Sequence, residues 1–175
     1  MHINKVGWER YTARMPQATL VYCLRESEVL LGLKKVRFGA GKWNGFGGKV
    51  EKDESLAAAA ARELREEASL ETQPHLLQKI ADISFYFAEK PIFQCHTFIA
   101  RDWQGEPQES DEMRPQWWPL DALPWDLMWP SDFHWLPGAL GGSPTHGTVW
   151  FDEAGKTVKR FEISTVADFE ALEYA

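Results

Sequence analysis

GKVEKDESLAAAAARELREEASL, residues 48–70, joins a glycine-ended loop to the most helix-prone segment of the chain. Ser55 suits an N-cap, and the alanine-rich run after it predicts a helix over 56–70. At about 100° per residue, Ala57, Ala61, Leu64 and Ala68 fall on one stripe, narrow enough to press against a sheet. Glu63, Glu66 and Glu67 occupy a different stripe, with Arg62 and Arg65 between the two. At i, i+3 and i+4 the three carboxylates converge, and unpaired they repel. No lysine stands at matching helical spacing, so the pattern points to a cation, and hard carboxylate oxygens select Mg²⁺ or Mn²⁺. Taken alone, E-x-x-E-E is also a common solvated stripe on surface helices.

Upstream, ATLVYCL (18–24) and VLLGLKK (29–35) read as a strand hairpin. VRFGAGKWNGFGGKV (36–50) holds five glycines and predicts a loop rather than a regular element, suited to close approach by a ligand. It lacks the G-x4-G-K-[ST] spacing of a P-loop. Downstream, IADISFYF (80–87) and FQCHTFIA (93–100) are strands joined by AEKP. ESDEMRPQWWPL (109–120) leads from a loop into a strand ended by Pro119. Residues 120–140, aromatic and broken by prolines, predict one or two short helical turns, and 147–163 form a hairpin about DEAGK. The sum is a single α/β domain with a mixed sheet.

A chain of 175 residues with 44% hydrophobic content suits one domain with an ordinary core. A net charge of −7 excludes a broad phosphate-backbone footprint, so an anionic ligand would need a local device such as a metal ion. Cys23 and Cys95 lie in apolar strand-like runs and read as buried thiols. The N-terminus has no apolar leader core and no run of about 18 apolar residues occurs, which predicts a cytoplasmic protein. His2, His75, His96, His134 and His146 are scattered without metal-ligand spacing.

Around the helix the chain reads G-x5-E-x7-R-E-L-x-E-E-x-S-L, with Gly48, Glu54, Arg62, Glu63, Leu64, Glu66, Glu67 and Leu70 in place. This resembles the 23-residue signature of the Nudix hydrolases, with Ser69 where that family has Gly. The resemblance implies the Nudix fold, an α/β/α sandwich around a mixed sheet, and metal-dependent cleavage of a phosphoric anhydride. It implies Glu63 and Glu67 as ligands of Mg²⁺ (or Mn²⁺), with Glu66 as a further ligand or the group that orients water. The base among the three stays open. The Gly48 carbonyl would add a ligand, while Glu54 and Arg62 would pair to fix the loop on the helix.

Outside the signature, residues 29–50, ESDEMRPQWW and MWPSDFHWLP resemble the oxidised-purine nucleoside triphosphatase branch, over roughly 18–165. That likeness implies Asn44 and Asp132 as base readers and Trp129 as a stacking ring. Phe38, Phe85 and Met113 would be pocket walls, Thr19 and Lys34 further lining (Lys34 near sugar or phosphates), and Glu112 an extra metal ligand. Ser131 stands where the branch has the first of two adjacent Asp residues, and this predicts a narrower or shifted base preference. The implied activity is hydrolysis of modified purine (deoxy)nucleoside triphosphates to the monophosphate and pyrophosphate, cleansing the nucleotide pool. The expected partner is a small nucleotide, with neither nucleic-acid polymer nor membrane, and the protein is expected to act as a monomer. The competing expectations are a hydrolase of another nucleoside diphosphate derivative, such as ADP-ribose or a dinucleoside polyphosphate, and a non-catalytic nucleotide sensor. Residues 1–16 read as an N-terminal extension and 17–175 as the domain.

Overall fold

The computed structural model describes residues 15–169. The expected extension, apart from Met15 and Pro16, and the end of the expected domain lie outside the described residues. Strands β1 (Gln17–Arg25) and β2 (Glu28–Lys34) form the predicted hairpin. β3 (Trp43–Asn44) is followed by helix α1 (Leu56–Ala68), then β4 (Gln78–Phe87) and β5 (Lys90–Ala100). β6 (Met113–Pro119), helix α2 (Asp132–Leu140), β7 (Thr145–Phe151) and β8 (Val158–Thr165) complete the order. The sheet runs β3-β2-β1-β5-β4-β7-β8, with β6 antiparallel along β2 from Glu28↔Pro119 to Lys34↔Met113. The β1–β5 and β4–β7 pairs are parallel and the rest antiparallel, so the sheet is mixed.

Strand alternation divides the core between two faces. Val21 and Cys23 pack with Ala60, Leu64 and Ala68 of α1, whereas Tyr22 and Leu24 pack with Trp135, Leu136 and Ala139 of α2. The helices therefore cover opposite faces, which is the α/β/α sandwich. Among the described residues no helix is long and apolar enough to cross a membrane. Cys23 and Cys95 are buried and free, as expected.

Two expectations need correction. The glycine-rich segment contains a regular element: β3 pairs with β2 (Gly32↔Asn44, Leu33↔Trp43), and residues 46–50 bond along β1 through Val21 N–Phe46 O, Thr19 N–Gly48 O and Val50 N–Gln17 O. Glycine allows this close approach, since a Cβ on Gly47 would lie 1.8 Å from the Thr19 carbonyl oxygen. The apolar stripe of α1 is also rotated from the expected one. Ala60, Leu64 and Ala68 are fully buried at i, i+4 and i+8, while Ala57 and Ala61 are only half-buried.

Ser55 does cap α1, its side chain accepting the Ala58 N–H at 3.2 Å. The helix stops at Ala68, two residues short of the expected end, because Ser69 turns left-handed at φ 59°. The later strands are longer than predicted, with a two-residue turn at Ala88 and Glu89.

Candidate active site

The rotation of α1 places its glutamates in three different environments. Glu67 lies on the buried side, its carboxylate accepting the Gly47 N–H at 2.9 Å and paired with Lys34 Nζ at 3.3 Å. Burial is the main reason its pKa is raised, to about 6. Glu63 is partly buried and its pKa is also pushed up by burial. Glu66 is more than half exposed.

Repulsion among the three, for which the sequence points to a cation, is already relieved in part by side chains of the protein. Arg62 binds Glu54 through two nitrogens at 2.8 and 3.0 Å, and reaches Glu63 at 2.8 Å and Glu66 at 3.3 Å. Its bond to Glu54 holds that carboxyl below the usual range. The expected Arg62–Glu54 pair is thus present, and the same guanidinium serves two of the acidic triplet. The lysine missing from the helix is supplied by β2: Lys34 Nζ spans Glu67 and Glu112, the latter at 3.2 Å. Glu112 also pairs with Arg37 at 3.3 Å.

Among the described residues no three His, Cys, Asp or Glu side chains stand ready-assembled at metal-holding spacing. The donor set nevertheless suits a hard divalent ion, since it consists of carboxylate and carbonyl oxygens. A cradle is also built. A Cβ on Gly48 would fall 2.5 Å from Glu63 Oε1, so only glycine there lets that carboxylate lie against the loop backbone. The Gly48 carbonyl accepts the Thr19 N–H at 2.9 Å and keeps one lone pair free.

Beside these carboxylates lies a cleft of about 280 Å³. Thr19, Lys34, Phe38, Asn44, Phe85, Met113, Trp129 and Asp132 all border it. The Thr19 hydroxyl is buried without a hydrogen-bond partner among the described residues. Asp132 is 4% exposed, and its Oδ2 has no hydrogen bond among those residues. Its other oxygen accepts the Ser131 hydroxyl at 3.4 Å, and burial raises its pKa to about 7.

Trp129, expected as a stacking ring, stacks on Phe38, with ring centroids 5.0 Å apart. Phe38 is 56% exposed and comes from the turn that carries left-handed Arg37, Gly39 and Gly41. Phe87, Phe93 and Phe151 extend the aromatic wall and were not singled out in the sequence. The two-residue strand period that puts Phe87 beside Phe85 is the signal that would have found the first of them.

Among the described residues no histidine belongs to a group that could hold a metal ion. His96 is buried and paired with Asp82, His134 stacks on Phe161, and His2 lies outside the described residues. His96 and Lys79 hold the Asp82 carboxyl low despite its burial.

The NUDIX domain family model matches residues 14–138 of the chain. An oxidized purine nucleoside triphosphate hydrolase of Danio rerio is 50% identical over 120 residues, covering 68% of this chain and 76% of the relative. The protein of the same name from Mus musculus is 48% identical over 152 residues, covering 86% and 96%. Among solved structures, the MutT protein of Bacillus halodurans matches with a TM-score of 0.72, over 86% of this chain and 98% of that one. Its 23% identity makes this a likeness of fold.

Proposed function

The chain belongs to the Nudix family, and on that premise we propose that it hydrolyses oxidised or otherwise modified purine nucleoside triphosphates to the monophosphate and pyrophosphate. The observation that supports this most is continuity. A cleft walled by aromatic rings, with Asn44 and Asp132 as polar side chains, meets through Lys34 the carboxylates Glu67 and Glu112.

In this reading the base enters between Trp129 and the apolar walls Phe85 and Met113, with Phe38 yielding the ring face it now covers. Stacking of this kind is worth about 1–3 kcal/mol per base. Thr19 and Lys34 face the sugar and phosphates. Glu63, Glu66, Glu67, Glu112 and the Gly48 carbonyl are the groups that would hold Mg²⁺, or Mn²⁺ in its place. When bound, such an ion offsets charge on the bridging oxygens and lowers the pKa of the attacking water. Water adds to a chain phosphorus, the bond to the bridging oxygen breaks, and pyrophosphate leaves. The water's proton passes to a carboxylate of the acidic set. Glu66, tethered among the described residues only by Arg62 and open to solvent, has the freedom to orient that water. Arg62 and Glu54 keep the loop seated on α1. The setting would be cytoplasmic nucleotide-pool sanitation by a monomer of which 17–175 is the working domain.

The test is pyrophosphate release from 8-oxo-dGTP and dGTP with Mg²⁺, before and after chelation, for the protein and for Glu67→Gln. We expect stoichiometric pyrophosphate, preference for the oxidised base, loss on chelation, and loss in the variant with nucleotide still bound. Pyrophosphate release unaffected by Glu67→Gln, or absent for every modified purine triphosphate offered, contradicts the reading.

A further inference from the structure

Tyr22 of β1 is fully buried, and its hydroxyl donates to Asn44 Oδ1 at 2.9 Å. The Gly45 backbone N–H donates to the same oxygen at 2.8 Å. A backbone N–H can only donate, so the carboxamide atom facing it is the oxygen and not the nitrogen. Both lone pairs of Oδ1 are then engaged. The phenol cannot give up its part as donor, because burial, reinforced by Asp132 and Cys95, raises its pKa well above 10. Gly45 makes the arrangement possible, since a Cβ there would stand 2.9 Å from the Val21 carbonyl and 3.0 Å from the Tyr22 ring. Asn44 Nδ2 makes no hydrogen bond among the described residues, and Asn44 borders the cleft.

We propose that Tyr22 is a positioning residue that, together with the Gly45 N–H, keeps both lone pairs of the Asn44 oxygen engaged, leaving only N–H donors for the base. Resting on the nucleotide reading above, this gives the cleft a preference for 6-oxo over 6-amino oxidised purines. An asparagine free to turn recognises a 6-aminopurine in two contacts, accepting from the exocyclic amine and donating to a ring nitrogen. Here the accepting half is already engaged. A 6-oxopurine offers an acceptor to the same N–H, while Asp132, when ionised, can accept from ring or exocyclic N–H groups.

Tyr22→Phe removes the hydroxyl and keeps the ring. With the full chain and Mg²⁺, kcat and KM are measured on 8-oxo-dGTP, 2-hydroxy-dATP and 8-oxo-dATP, with thermal unfolding as the check on folding. The unaltered protein should favour the 6-oxo substrate at least about tenfold. The variant should lower that ratio by about five- to tenfold, through a smaller KM for the 6-amino substrates. A ratio that stays within twofold in folded variant protein, or a loss shared equally by all three substrates, overturns the proposal. A second arm needs no substitution: inhibition of the unaltered protein by 8-oxo-dGMP should exceed that by 2-hydroxy-dAMP and 8-oxo-dAMP, and equal inhibition overturns it. If the unaltered protein hydrolyses none of the three triphosphates, the functional reading itself has failed.

Discussion

Lys34 Nζ of β2 lies 3.3 Å from Glu67 Oε1 of α1, joining the most buried glutamate of the helix to a residue that borders the cleft. Removing the lysine leaves a buried carboxylate with one backbone hydrogen bond. Lys34→Met should therefore cost about 1–3 kcal/mol, less than a fully buried pair would lose, because the lysine keeps some solvent contact. Glu67→Gln can retain the Gly47 bond and has no charge to bury. Its stability should stay within about 1 kcal/mol of the unaltered protein, while turnover falls about 10²–10⁴-fold. Denaturant unfolding and pyrophosphate release separate the two effects, and the double variant should be more stable than Lys34→Met alone.

Gly47 and Gly41 make a matched pair. A Cβ at Gly47 collides with the Thr19 carbonyl, whereas at Gly41 it meets nothing within 4 Å and the only objection is φ +87°. Gly47→Ala should break the pairing of the loop with β1 and give little folded protein. Gly41→Ala should fold, at a cost of about 1 kcal/mol from backbone strain. Soluble yield and thermal unfolding of the two variants compare them directly.

These glycines also mark the boundary of what the sequence reveals. Helix α1, its Ser55 cap and the hairpins are readable because propensity, capping and strand alternation are local. The eight cleft-lining residues named beforehand came from resemblance, since nothing local connects Thr19 to Trp129. Three features depended on tertiary packing. Lys34 reaches Glu67 and Glu112 from a neighbouring strand, which helical spacing cannot anticipate, whereas the Arg62–Glu66 contact is the i, i+4 pair that such spacing does predict. The stripe of α1 rotates to bury Glu67 because Gly47 offers it an N–H. Phe38 lies over Trp129 because the turn from Arg37 to Gly41 folds back on the cleft.

Ser69 tests the one departure inside the signature. It ends α1 at φ 59°, a conformation that favours glycine, and its side chain is exposed. Ser69→Gly should stabilise the protein by about 0.5–1 kcal/mol without altering turnover. A melting temperature unchanged or lowered would show that the serine relieves the strain by a contact of its own.

Asp132 makes stability depend on pH in a particular sense. Its folded pKa of about 7 lies above the unfolded carboxyl value of about 4. Between these values the folded state holds more protons than the unfolded state. Its contribution is therefore greatest below pH about 4, declines up to pH about 7 and is flat beyond. Over that window the loss is at most ~4 kcal/mol. Asp132→Asn removes the titrating group, so the metal-free variant should gain on the unaltered protein at pH 8 and not at pH 4. Unfolding across pH 4–8 checks the sign, and a gain confined to low pH would refute it.

Ser131 sets how many protonation states the base meets. It is 1% exposed and gives its hydroxyl to Asp132, so the cleft has one titratable group at this point where two adjacent carboxyls could share a proton. A shared proton lets a pair donate or accept as the base requires, whereas a single carboxyl switches once, near pH 7. The unaltered protein should therefore rank 8-oxo-dGTP, 2-hydroxy-dATP and O6- or N6-alkylated purine triphosphates unequally. Ser131→Asp should compress that ranking, raising the poorer substrates by about tenfold, the value of one recovered hydrogen bond. It should also lower stability above pH 7, where two buried carboxylates would both have to ionise. This effect differs from that of Tyr22→Phe, which acts on the 6-amino group alone: O6-alkylated purines, which carry a 6-alkoxy group and no 6-amino group, should respond to Ser131→Asp and not to Tyr22→Phe. Equal efficiency of the unaltered protein on the whole panel, or a ranking that Ser131→Asp leaves in place, would show that base choice is made elsewhere in the cleft.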